Sequence, residues 1–198
     1  MEELGGDKQR SRRGRKRDLS KDVAVLDAAV KVLAAENLAG MSMDRVAAAA
    51  GVSKVTVYTR WRSKAELVGA ALSHLQVDQV PESSGRVRDD LVALLDAMRK
   101  QYDEVGGMAI IGTCLADEPV SGDLLALIRQ STLLPRREHF ARAIRGGVQR
   151  GELRPDTDVD RTVSMVIGNF YADHLAGIAP HPEWSVSVVD SSLAGLQM

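Results

Sequence analysis

The sequence predicts an all-α fold of about nine helices, and three observations carry that reading. Apolar residues make up 44% of the 198 positions but aromatic residues only 4%, so Ala, Leu and Val must supply the core. Such a set favours helix packing over a sheet sandwich. Apolar positions recur at spacings of three and four along most of the chain, and no stretch alternates with a period of two.

The elements follow in order. Ser20 caps a helix over 20–36, with Asp22 in its first turn and Val23, Leu26, Ala29, Val30 and Leu33 at helical spacing. "ENLAG" stops it at Gly40. Ser42 caps a second helix, 43–50, whose Met43, Val46, Ala47 and Ala50 turn inward. Gly51-Val52-Ser53 makes a three-residue turn, in which Gly51 can take a left-handed backbone angle and Ser53 can cap a helix over 54–61. "SKAEL" at 63–67 opens a fourth helix with a capping box formed by Ser63 and Glu66.

"PESSG" at 81–85 is the clearest linker. Helices follow over 86–104, with Val87, Leu91, Leu94, Leu95 and Met98 in register, and over the very apolar 108–117. Residues 123–150 are helical but contain Pro135, which implies two helices or one kinked helix. "RGELRPD" at 150–156 is a loop, 158–179 a helix with a broad apolar stripe, and 184–196 the last helix. The organisation expected is a basic arm over 1–19, a helical head over 20–80 and a helical body over 81–198.

Charge is unevenly placed. Residues 1–80 carry 14 Lys/Arg against 10 Asp/Glu, a net +4, and residues 81–198 carry 12 against 17, a net −5. Arg12, Arg13, Arg15, Lys16 and Arg17 lie in a stretch, 8–21, of net charge +7, which suits a polyanion partner. Cys114 is the single cysteine, so no intramolecular disulfide or thiolate metal cluster can form. The His, Asp and Glu spacing offers no metal site, and no cofactor is expected. The first residues lack the apolar run of a secretory signal and no later run reaches membrane-spanning length, so the expected location is the cytoplasm, with no membrane partner.

A helix, a three-residue turn and a short helix define helix-turn-helix geometry. On a wheel of about 100° per residue, Val57 and Trp61 fall together toward the core with Val52. Val55, Thr56 and Thr59 fall on the opposite arc, flanked by Lys54, Tyr58 and Arg60. Small side chains let a helix sit deep in a major groove: threonine can touch a thymine methyl or donate, and Val55 offers apolar contact alone. Lys54, Tyr58 and Lys64 have the reach for phosphate oxygens, and Ser42 with the first amides of its helix suits another phosphate. The basic arm can cross into the minor groove.

The segment "VLDAAVKVLAAENLAGMSMDRVAAAAGVSKVTVYTRWRSKAELV", residues 25–68, closely resembles the DNA-binding domain of tetracycline-repressor-type (TetR/AcrR) transcriptional regulators. "LDAA", "SMDRVAAAAGVS", "KVTVYTRW" and "SKAEL" carry the resemblance. "RVRDDLVALL" and "RGELRPDTD" extend it more weakly into a regulatory domain. Val55 stands where glycine or proline is frequent in the family, and Trp61 where phenylalanine is usual.

The resemblance implies a three-helix head with a fourth helix as lever, and a ligand-binding, dimerising body. It implies a homodimer on a near-palindromic double-stranded DNA operator, usually a repressor released by a small-molecule effector. Ser42, Lys54, Thr56, Tyr58, Thr59 and Lys64 match the family's DNA-contacting positions. An activator, or a regulator without a ligand, would share these features.

For the effector pocket the body offers Met98, Tyr102, Met108, Cys114, Phe140, Phe170, Tyr171 and His174, all of which also read as ordinary core packing. The resemblance places dimerisation on the last two helices. There Gly168, Ala172 and Ala176 allow close approach, and Val189, Leu193 and Leu196 extend the face. A helical enzyme is the rival from another class. It would have to use Cys114 with His139 or His174, or Asp117 and Glu118, and no nucleophile motif, phosphate loop or metal spacing supports it.

Overall fold

The computed structural model describes residues 19–75, 80–117, 119 and 123–197. Its helices are α1 (Leu19–Gly40), α2 (Met43–Ala49), α3 (Lys54–Arg60), α4 (Lys64–His74), α5 (Val87–Val105), α6 (Gly107–Asp117), α7 (Asp123–Ile128), α8 (Leu134–Gln149), α9 (Val159–Ala176) and α10 (Trp184–Leu193). A π turn, Arg129–Leu133, joins α7 to α8 with helical backbone on both sides, so these two form one rod. Counted so, the described residues hold nine helical rods. The wider turn resolves the Pro135 question: Leu134 N reaches back to Arg129 O, five residues earlier, and the turn carries the chain past a residue with no N–H.

The head's punctuation matches the side chains that can make it. Ser42, Ser53 and Ser63 accept from the amides of Arg45, Thr56 and Glu66, capping α2, α3 and α4. Glu66 Oε2 accepts from the Arg62 amide at 2.7 Å, a return contact one residue away from the Ser63 amide that a capping box would use. In α1 the regular turns end at Asn37, with φ 55° and ψ −177°, and Asn37 Oδ1 accepts from the Ala39 and Gly40 amides. Val23, expected inward, is 46% exposed, while Asp22 takes the buried side of that turn.

Two apolar clusters hold the chain. The first joins α1–α4 around Leu33, Val46, Val57, Leu67 and Leu72, and it also takes in Ile110 and Cys114 of α6 and Leu124, Leu125 and Ile128 of α7. The second joins α5, α8, α9 and α10 around Leu91, Leu95, Phe140, Ile144, Val189 and Leu193. The head therefore packs on α6 and α7, and the rod that continues from α7 carries α8 into the second cluster.

Local polar contacts set the joints between these parts. Gly106 ends α5 in the left-handed region at φ 65°, and a Cβ there would lie 3.2 Å from Ala34 Cβ of α1, so the sharp α5–α6 corner needs glycine on both counts. At the start of α5 the Arg86 side chain makes no capping hydrogen bond. Glu152 Oε2, from the loop after α8, accepts from the Val87 amide at 2.8 Å instead. That loop also buries Leu153 completely and pairs Arg154 N with Leu196 O.

Candidate nucleic-acid interface

The second helix of the helix-turn-helix unit, α3, has one buried residue, Val57, and Trp61 immediately follows it at 6% exposure. These two anchor α3 to the first cluster and fix which side faces out. That side shows Val55, 74% exposed, and Tyr58, 52% exposed, with Lys54 and Thr59 also exposed. A Cβ on Gly51 would meet nothing, but its φ of 65° holds the turn that swings α3 away from α2.

Several predicted residues are more engaged than their spacing suggests. Lys54 Nζ donates to Asp44 Oδ2 of α2 at 2.5 Å. That hydrogen bond, ahead of the Coulomb attraction, raises the Lys54 pKa and is the leading influence holding Asp44 below the usual carboxylate range. Thr56 is half-buried, with its hydroxyl 2.9 Å from Ser53 Oγ at the cap. Thr59 Oγ1 donates to Val55 O at 2.6 Å, leaving its oxygen as an acceptor. Lys64 Nζ donates to Leu38 O at 2.8 Å, tying α4 to the end of α1. Arg60, placed by the wheel on the flank, turns inward to an ion pair with Asp22 of α1. Ser42 is half-buried at its cap. Arg12, Arg13, Arg15, Lys16 and Arg17 lie outside the described residues.

Six of the eight pocket candidates divide between two clefts, and Tyr171 and Cys114 line neither. Met98 and Phe140 line one of about 450 Å³ between the end of α4, the middle of α5 and α8. Tyr102, Met108, Phe170 and His174 line another of about 550 Å³ between α5, α6 and α9, where Trp184 Nε1 donates to Asp173. The Tyr102 and Tyr171 hydroxyls lie 2.7 Å apart, and burial pushes the Tyr102 hydroxyl pKa well up. Cys114 lines neither cleft. It is fully buried in the first cluster, its thiol pushed up to about 11 by burial and then by Asp117, and it packs as a core residue.

Val189 and Leu193, expected at the dimer interface, face the core of their own chain. Both have zero exposure and belong to the second cluster, so they hold α10 to its own chain. The open face lies on α9, where Met165 and Leu175 are 44% and 82% exposed and a Cβ on Gly168 would meet nothing. Ala172 and Ala176 are exposed on that helix, and Leu196 is half-buried.

Spacing did not flag Arg136. It is 4% exposed, its Nη2 donates to Gln101 Oε1, and its Cζ sits 4.9 Å from the Tyr102 ring centre. The signal was present: Arg136, Phe140 and Ile144 fall at steps of four on one face of α8, and two of the three are plainly core.

Among the described residues, no group of His, Cys, Asp and Glu could hold a metal, and no helix is long and apolar enough to cross a membrane.

A short capped helix that follows a glycine turn, buries Val57 and leaves Lys54, Val55, Tyr58 and Thr59 in solvent has the geometry of a helix-turn-helix unit. Residues 25–71 match the family model described as bacterial regulatory proteins, tetR family, and residues 81–191 match that described as tetracyclin repressor-like, C-terminal domain. The chain belongs to the TetR family of DNA-binding transcriptional regulators, a family of regulators rather than of enzymes. It is 32% identical over 145 residues to a DNA-binding transcriptional repressor TetR of Mycobacteroides abscessus, covering 70% of this chain and 74% of that one. It is 27% identical to the HTH-type transcriptional regulator YdeS of Bacillus subtilis over 94% of this chain and 95% of that one. The crystal structure of the TetR family transcription regulator SCO0332 matches it with a TM-score of 0.63 at 28% identity, covering 90% of this chain and 100% of that one.

Proposed function

We propose that this regulator is a repressor that binds a near-palindromic operator as a homodimer and leaves it when a small molecule fills a cleft in the body. One observation carries the DNA half: α3 buries Val57, with Trp61 behind it, and leaves Lys54, Val55, Tyr58 and Thr59 in solvent. Val55 and Thr59 meet base edges in the major groove, with Thr56 at the rim. Lys54, Tyr58, Lys64 and Ser42 meet phosphates, and the arm from Arg12 to Arg17 follows the adjacent minor groove. The α9 face around Gly168, Ala172 and Leu175 meets its copy across the two-fold axis.

Release follows from spacing. Two α3 helices must lie about 34 Å apart, or a multiple of it, to enter successive major grooves. An effector that prefers a body shape with a different spacing lowers DNA affinity by that preference alone, and a tenfold loss needs about 1.4 kcal/mol. The lever has anchors for this. Leu72 O and Leu75 O of the α4 region accept from Ser131 of the π turn and from Gln101 of α5, so a shift of the body's helices is felt by α4.

The experiment is a gel shift of the full chain on DNA from upstream of its own and neighbouring genes. A retarded band that sharpens at low salt, with target transcripts rising in a deletion strain, is expected. A folded dimer that retards no such fragment at low salt refutes the reading.

A further inference from the structure

Arg136, on the wall of the cleft between α4, α5 and α8, is a buried cation with no carboxylate paired to it among the described residues. Nε and Nη1 of Arg136 are buried and have no hydrogen-bond partner, leaving up to three N–H donors unused. Elsewhere around the cleft His74 Nε2 lies 2.9 Å from Asp27 Oδ1, and Lys100 lies 3.9 Å from Glu104. Among the described residues no carboxylate comes within ion-pair distance of Arg136. His139, on the same wall, also has a buried Nδ1 with no hydrogen-bond partner, and burial, then Arg142, lowers its pKa, so Arg136 is the stronger anchor for an anion.

A guanidinium cannot escape burial by losing its proton. Gln101 and the Tyr102 ring satisfy it only in part. A position needing only packing, one turn before Phe140 and two before Ile144, would carry an aliphatic side chain. The chain keeps an arginine there, at the wall of a cleft whose volume suits a small ligand.

We propose that this cleft is the effector site and that its occupant is an organic carboxylate, its anionic end on Arg136 and its apolar body against Leu94, Met98 and Phe140. This rests on the reading above that a small molecule governs release. A single guanidinium matches a single negative charge. A phosphate dianion would bring a second charge into a cleft that already has Asp27 and Glu104 on its walls. The cleft also touches His74 and Leu75 at the end of α4, so filling it bears directly on the lever.

The test titrates the full-length protein, without DNA, with octanoate and 1-naphthoate, with the primary amide and the amine analogue of each, and with octyl phosphate. Calorimetry reads the affinities. A carboxylate is expected to bind at least tenfold more tightly than its amide. Arg136→Met should erase that difference while leaving amide binding and folding intact, and its melting temperature should equal or exceed that of the parent, because an unmatched buried charge is gone. Arg136→Lys should keep the preference with weaker binding. Equal binding of acid and amide, a preference for amine or phosphate, a preference that survives Arg136→Met, or an Arg136→Met protein that fails to fold each overturns the proposal.

The same compounds are then added to the protein–operator complex and followed by fluorescence anisotropy. Carboxylate binding at Arg136 without loss of DNA leaves the anion site standing and defeats the release reading. Release by a compound indifferent to Arg136 does the reverse.

Discussion

Lys54 Nζ and Asp44 Oδ2 lie 2.5 Å apart, joining the first residue of α3 to the first turn of α2 across the helix-turn-helix corner. The contact sets a cation at the edge of the proposed groove-facing surface and also partly neutralises it. Asp44→Ala is expected to raise operator affinity severalfold at low salt, with no measurable loss of thermal stability, since an exposed ion pair contributes little to folding. Lys54→Ala should lower the slope of log affinity against log salt by about 1 per half-site. Anisotropy titrations across a salt series check both.

Val55 is 74% exposed and touches no core cluster. Val55→Ala should leave folding stability within about 0.5 kcal/mol. It should shift discrimination at one base pair per half-site by about tenfold, the scale of one lost base contact. Competition binding with singly substituted operators reads the shift.

Trp61 and Val57 act on the same surface from beneath. Trp61→Ala is expected to cost about 3–5 kcal/mol, as removal of a large buried ring does, and Trp61→Phe less than about 1.5 kcal/mol. Chemical denaturation measures both. DNA binding should recover for Trp61→Phe, because this side chain positions α3 and does not meet the duplex.

Asp90 predicts a pH dependence. Burial alone would raise its pKa, but hydrogen bonds from the Ser83 and Ser84 hydroxyls and the Ser84 amide, at 2.6–2.7 Å, outweigh that and hold it below the usual carboxylate value. A depressed folded-state pKa means the stabilisation is complete above the unfolded-state value, near 3.8, and is lost as pH falls through the folded one. Asp90→Asn should therefore cost about 2 kcal/mol at pH 7. The gap from the parent should close below about pH 4. Denaturant melts at several pH values test the sign.

Leu175 is 82% exposed on α9. Leu175→Arg should yield a folded monomer by sedimentation, with unchanged helicity and DNA affinity reduced at least tenfold. A variant that stays dimeric would move the interface away from this face.

Much of the head was legible because its signals are local. A serine cap, a glycine turn and an i, i+4 apolar pair act within one or two turns of chain. Thus Ser42, Ser53 and Ser63 marked three helix starts, and Val57 with Trp61 marked the inner side of α3. Asn37, inside "ENLAG", ends the regular turns of α1 one residue beyond the predicted end at 36 and three before Gly40. Spacing failed where a polar side chain found a distant partner. Arg60 turns in to Asp22, and Lys64 to Leu38, some thirty-eight and twenty-six positions away, which no window of neighbouring residues contains.

The sequence by itself determined the helices, their caps and the outward side of α3, since those depend on periodicity and short-range hydrogen bonding. Only the tertiary structure decided how the apolar faces were shared. Gly168 and Val189 both read as interface, but α10 needs Val189 and Leu193 to cover α5 and α9, whereas Gly168 is left open. It also decided that Arg136, on a core face of α8, lies in a cleft without a carboxylate partner. A helix fixes which side chains share a face, but burial and charge matching depend on what packs against that face, and distant segments supply it.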